Sequence, residues 1–182
     1  MLRIDLRESL CHSTVDPQLL SSFQRILLTT DGTVTEILEA HLWEAMRIVK
    51  LYQDCIETDA SIPYLDIGPH APVLVRKIIL RGESSERNYI YAESIVALDR
   101  LDDRIRQGLI ETQKPVGQLM LEARLETFRE ILSCCYEPAE EIGESLGVSP
   151  DARLISRTYR VFANRQPFML ITEKFPETAF TD

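Results

Sequence analysis

The chain has 182 residues, 45% apolar and 27% charged, with a formal net charge of −9 at pH 7. That length predicts one domain, residues 1–182, able to bury a core without disulfides or metal, and the composition is that of a soluble globular protein. The negative balance argues against non-specific binding to nucleic acid or to an anionic membrane, and an anionic ligand would need cations placed locally.

Met1 to Glu8 carries charges where a signal peptide needs its apolar segment, and no apolar run approaches the ~18 residues of a membrane span, so a cytoplasmic location is expected. Asp16-Pro17 starts a helix, a capping side chain followed by proline at the first helical position. Leu19, Leu20, Phe23, Ile26 and Leu27 then recur at helical spacing to about Leu28. Thr29 to Gly32 breaks that helix, and a second begins near Thr33 or Thr35, carrying Ile37 and Leu38. Glu44 to Ile56 reads better as a long strand, although its start also fits a helix. Asp59 to Pro72, with Pro63, Gly68, Pro69 and Pro72, reads as a loop. Leu74 to Leu80 and Tyr89 to Leu98 are strands of a hairpin around the polar turn Gly82 to Asn88.

Asp99 to Gly108 is highly charged and reads as a helix ending at Gly108. Pro115 to Met120 is a turn entering a short helix. Leu125 to Tyr136 fits helix by composition, yet Leu125, Thr127, Arg129 and Ile131 also alternate as a strand. Pro138 to Gly147 is a small helix with Gly147 past its end. Ile155 to Phe162 and Phe168 to Phe175 form a second hairpin around residues 163–167. Hairpins with helices inserted between them give an α+β fold, an antiparallel sheet with helices packed on one face. No GxGxxG, GKS or GKT marks a doubly wound parallel sheet. Cys11, Cys55, Cys134 and Cys135 show no CxxC spacing and read as reduced thiols. His12, His41 and His70 are scattered, so no metal site is expected.

Two strand residues stand out. Side chains alternate across a strand, so Arg76 shares a face with Leu74, Ile78 and Leu80, and Glu173 with Met169, Ile171 and Phe175. An arginine on an apolar face keeps its charge and needs an anion there, a neighbouring carboxylate or a ligand. A carboxylate among apolar neighbours is pushed towards the neutral acid unless a cation or donors hold it charged. The two together suggest a pocket for a small carboxylate-bearing molecule; the alternative is that Arg76 and Glu173 pair with each other inside the fold. Tyr89 and Tyr91 read as packing residues.

The order of several motifs resembles the chorismate lyases (chorismate pyruvate-lyase, 4-hydroxybenzoate synthase). They are Asp16-Pro17-Gln18-Leu19-Leu20, Val34-Thr35, Val75 to Leu80, Pro115-Val116-Gly117, Ser156-Arg157-x-Tyr159-Arg160, and Pro167 with Thr172-Glu173. The likeness runs from about residue 16 to residue 176, as a divergent, longer branch. It implies an antiparallel sheet of about six strands, with the ligand enclosed beneath helix-turn flaps. It also implies pyruvate elimination from chorismate to give 4-hydroxybenzoate for a prenylated quinone or another phenolic metabolite, with no cofactor. By that resemblance Arg76 binds a carboxylate, helped by main-chain amides near Val34, Val116 and Gly117, and Glu173 lies at the far end, near the ligand hydroxyl. Chorismate is then the partner, with no nucleic acid and no membrane insertion. One departure is Glu93, where those enzymes are expected to carry arginine: it replaces a second cation by an anion, and Arg157 or Arg160 is left to compensate, at most one of them facing the pocket. The chorismate lyase fold also resembles the effector-binding domain of a group of bacterial transcription regulators. The competing reading is thus a sensor that binds a small carboxylate without catalysis, although no basic DNA-reading segment precedes the Asp16 helix.

Overall fold

The structure, a computed structural model, describes residues 13–112 and 114–181. Met1 to Glu8, Cys11 and His12, on which part of the reading above rests, lie outside the described residues. Six strands form one antiparallel sheet: β1 (Met46–Glu57), β2 (Pro72–Gly82), β3 (Asn88–Ala97), β4 (Thr127–Pro138), β5 (Arg153–Ala163) and β6 (Gln166–Pro176). Their order is β1-β2-β3-β6-β5-β4, so the predicted hairpins β2–β3 and β5–β6 meet in the middle and β1 and β4 are the edges. The helices are α1 (Ser22–Thr29), α2 (Val34–Leu42), α3 (Asp103–Glu111), α4 (Val116–Glu122) and the single turn α5 (Gly143–Leu146). None of the described helices is long and apolar enough to cross a membrane.

The helix expected from Asp16 is two pieces. Asp16 caps only a 3-10 turn, Pro17–Leu19, its carboxylate accepting from the Gln18 amide at 2.9 Å. The α-helix starts afresh at Ser21, whose hydroxyl accepts from the Gln24 amide while the Gln24 side chain accepts from the Ser21 amide. This reciprocal capping box satisfies two orphan donors, which the Asp16 cap cannot do for a continuous helix. The break rotates the inward face: Leu20, Phe23, Leu27 and Leu28 are buried, and Leu19 and Ile26 are exposed. The helix expected to end at Gly108 instead begins after Asp102 and runs through the glycine to Glu111. A Cβ at Gly108 would stand 2.8 Å from Leu119 Cδ2, so this glycine lets α4 approach α3 and does not terminate anything. The ambiguous segment 125–136 is strand β4, with an extra residue in the ladder between Ile131 and Ser133. That bulge puts Arg129, Ile131, Cys134 and Tyr136 on one face, a spacing that matches neither a period of two nor one of 3.6.

Helices α1 to α4 pack on one face of the sheet in two apolar clusters. At one end α1 and α2 bury Phe23, Leu28 and Leu38 against Ile48, Leu80, Ile90, Ile155 and Phe175. At the other, α3 and α4 bury Ile105, Leu109 and Leu119 against Leu74, Val96, Val161 and Met169. The short α5 is the exception to one-sided packing, for Leu146 sits on the opposite face against Ile79, Tyr91 and Leu154. Tyr89 and Tyr91 are both buried in apolar clusters, on opposite faces.

Candidate functional site

Between the two clusters the helix-side face of the sheet stays open beneath a cavity of about 80 Å³, well above the ~10–15 Å³ that one water needs. Strand pairing lays its floor in rows. Arg76, Ser94, Ile171 and Tyr159 lie side by side across β2, β3, β6 and β5; Ile78, Ala92, Glu173 and Arg157 make the adjacent row. Directly paired residues point the same way, so both rows face the cavity.

The roof is made by two helix starts, Thr33 to Thr35 of α2 and Pro115 to Gly117 of α4. Neither carries a side-chain cap, so the first amides of each helix are left for a ligand or water, at the positive end of the backbone dipole. A Cβ at Gly117 would lie 2.5 Å from Thr33 Cγ2. The space freed by Gly117 is therefore taken by Thr33, and the glycine acts by pressing the two helix starts together.

Arg76 is 2% exposed, and its Nε and Nη2 have no partner among the described residues. Burial lowers its affinity for the proton, but a guanidinium stays charged even so. Its like-charged neighbour Lys50, on the adjoining edge strand, is pushed down by burial and by Arg76 itself. Arg76 and Glu173 do not pair. One strand lies between theirs, which separates the two backbones by about 10 Å across the sheet. Glu173 has its own cation, Arg157, whose Nη2 donates to Oε2 at 3.0 Å, and the Tyr159 hydroxyl donates to Oε1 at 3.1 Å. A cation and a hydroxyl donor thus meet both oxygens of this carboxylate.

Arg157 is 1% exposed; its Nη1 donates to the Thr30 carbonyl at 3.1 Å and its guanidinium lies 4.5 Å over the Tyr159 ring. Burial opposes the Arg157 charge, yet Glu173 and Tyr159 outweigh it and raise the pKa. Burial, with the adjacent Glu173, likewise raises the Tyr159 phenol well above its ordinary value. Arg160 points to the other face, where it pairs with Glu130 and donates to the Tyr64 carbonyl. Glu93 also faces away, one step off the parity of Ala92 and Ser94; it accepts from the Tyr91 hydroxyl at 3.3 Å, and burial together with Glu93 pushes that phenol up to about 12. The departure at Glu93 therefore takes no cation out of the cavity.

Of the residues singled out from sequence, Arg76, Glu173, Val34, Val116 and Gly117 all line this one cavity. Tyr159 and Arg129, which line it too, were not anticipated. Alternation along β5 from Arg157 would have found Tyr159; the β4 bulge hid Arg129.

The chain matches the family described as chorismate pyruvate-lyase Rv2949c-like over residues 28–181. It is 30% identical over 165 residues to a chorismate pyruvate-lyase of Mycobacterium leprae, covering 87% of this chain and 76% of that protein. It is 30% identical over 169 residues to a chorismate pyruvate-lyase of Mycobacterium tuberculosis, covering 87% and 81%. Among solved structures, the effector domain of PhnF from Mycobacterium smegmatis superposes with a TM-score of 0.68 at 12% identity, over 84% of this chain and 93% of that one, which shows a shared fold. With its sheet order, the ordered motifs along it and these matches, the chain belongs to the Rv2949c-like chorismate pyruvate-lyase family.

Proposed function

We propose that this protein eliminates pyruvate from chorismate and releases 4-hydroxybenzoate. The observation that carries the reading is the Arg76 guanidinium, buried at the cavity floor with two donors unpartnered. Such a group is costly to keep out of water unless an anion completes it, and its fork of donors suits the two oxygens of the ring carboxylate. The uncapped starts of α2 and α4, at Val34, Val116 and Gly117, add main-chain donors and exclude water from above.

Glu173, held by Arg157 and Tyr159, receives the hydrogen bond of the 4-hydroxyl at the other end of the ring. The ether bond between the ring and the enolpyruvyl oxygen breaks, and its electron pair leaves with that oxygen. The hydrogen on the ring carbon that bears the hydroxyl is lost as a proton beside Glu173, and the C–H electrons complete the aromatic ring. The departing enolpyruvate takes up a proton at its methylene carbon and becomes pyruvate. Chorismate thus divides into 4-hydroxybenzoate and pyruvate with all atoms accounted for and no change of oxidation state overall. The protein contributes orientation of the eliminating conformer and stabilisation of the charge on the departing oxygen.

The purified chain incubated with chorismate should release pyruvate and 4-hydroxybenzoate in equal amounts. Pyruvate release no faster than from chorismate in buffer would overturn the lyase reading; tight binding without release would point to the sensor reading instead.

A further inference from the structure

Chorismate, the substrate proposed above, carries two carboxylates, and Arg76 accounts for one. The second belongs to the enolpyruvyl group, which is attached to the ring carbon next to the one bearing the hydroxyl. A ring held with its carboxylate on Arg76 and its hydroxyl on Glu173 therefore brings that second carboxylate to the Glu173 end of the cavity. The protein as a whole repels it, with a net charge of −9. A local cation is required.

Among the described residues, two cationic side chains line the cavity, Arg76 and Arg129. Arg129 rises from edge strand β4, where it pairs with Val161 of β5, one row beyond Tyr159 on the same face. Crossing the sheet from Arg76 on β2, one meets Glu173 on β6 and then Arg129 on β4, so Arg129 stands on the Glu173 side of the cavity. Arg157, also at that end, is already committed to Glu173, a carboxylate whose side chain is only 12% exposed. Arg129 differs. Its carboxylate partner is Asp31, from the loop between α1 and α2, at 3.7 Å and 61% exposed. Its Nη1 donates to the Asp31 carbonyl at 2.5 Å, and the Asp31 carboxylate accepts from the Arg129 main-chain amide at 3.0 Å. An ion pair with so exposed a partner holds the guanidinium weakly and leaves it free to choose a better anion.

We propose that Arg129 is the specificity residue for the second carboxylate, exchanging the Asp31 carboxylate for that of the enolpyruvyl group. Arg76 then recognises any ring carboxylate, and Arg129 separates the dianionic substrate from the monoanionic product. Product release follows from the same division, because 4-hydroxybenzoate leaves Arg129 to return to Asp31.

The proposal rests on the lyase reading for its substrate but is tested apart from it, by calorimetric binding of two stable ligands to the full chain. One is 4-hydroxybenzoate, a monoanion; the other is 3-(carboxymethoxy)benzoate, which sets a second carboxylate where the enolpyruvyl group carries it. Arg129→Gln should weaken the dicarboxylate by about tenfold or more and leave the monocarboxylate within about twofold. Asp31→Asn, which keeps an acceptor for the Arg129 amide but removes the competing charge, should tighten the dicarboxylate selectively. Equal effects on both ligands, or none on either, would overturn the assignment; should Arg129→Gln not fold, an unchanged ligand preference in Asp31→Asn does the same. Selective binding in a protein that releases no pyruvate would leave Arg129 standing and remove the lyase; pyruvate release with no selective loss would do the reverse.

Discussion

Arg76 keeps a guanidinium out of water with part of its hydrogen bonding unmet, so the residue that suits a ligand weakens the empty fold. Arg76→Met should accordingly raise the stability of the unliganded protein by about 1–3 kcal/mol while lowering chorismate turnover more than a hundredfold, about 3 kcal/mol. Thermal melts paired with kcat/KM test this, and a variant that melts earlier would mean the guanidinium is structural. Glu173 behaves in the opposite way. Glu173→Gln leaves Arg157 without its counter-charge at a buried site, so it should destabilise by about 3 kcal/mol in urea titrations. Adding Arg157→Met should recover most of that loss without recovering turnover. Both residues were legible as cation and carboxylate on apolar strand faces. Which side chains stand beside them was not, because alternation fixes which face a residue takes and says nothing of which strand comes to lie beside it; β6 pairs with β3 and β5, and only that pairing sets Arg157 against Glu173 and keeps Arg76 apart from it.

The roof depends on two helices meeting at their first turns, and Gly117 sets how close they come. Its backbone is helical, a setting where alanine is favoured by about 1 kcal/mol, yet Gly117→Ala should cost about 1–3 kcal/mol by driving a methyl into Thr33 and should weaken 4-hydroxybenzoate binding. Thr33→Ser removes the methyl in the way, so the double variant should regain stability and binding; failure of that rescue in paired melts and calorimetry would show that the contact is not what matters. At this scale the hairpins were plain from strand runs around polar turns, as was the terminus at Gly147, whose φ of 70° favours glycine. Elements shaped by competition between local signals were not: the Ser21 box overruled the Asp16-Pro17 start, and the extra residue in β4 blurred its alternation.

Across the molecule, the phenols of Tyr91 and Tyr159 hold their protons above the ordinary value of about 10. The unfolded chain loses those protons first, so the stability they contribute is intact below pH 10 and falls as the pH climbs beyond it. Urea midpoints should decline from about pH 10 upward, less steeply in Tyr159→Phe; parallel slopes in the two proteins would refute this. The α+β class and the antiparallel sheet were open to sequence reading, whereas the division of the helix-side core into two clusters depends on how the sheet is assembled. That division has its own consequence. Because the cavity is the gap between two separately packed halves, the aromatic acid proposed above would be the keystone that joins them. At about a hundred times its dissociation constant it adds about 2.7 kcal/mol of stability. It should also slow amide exchange in β1 and in β4 alike, at opposite borders of the sheet, since a single guest locks both wings at once.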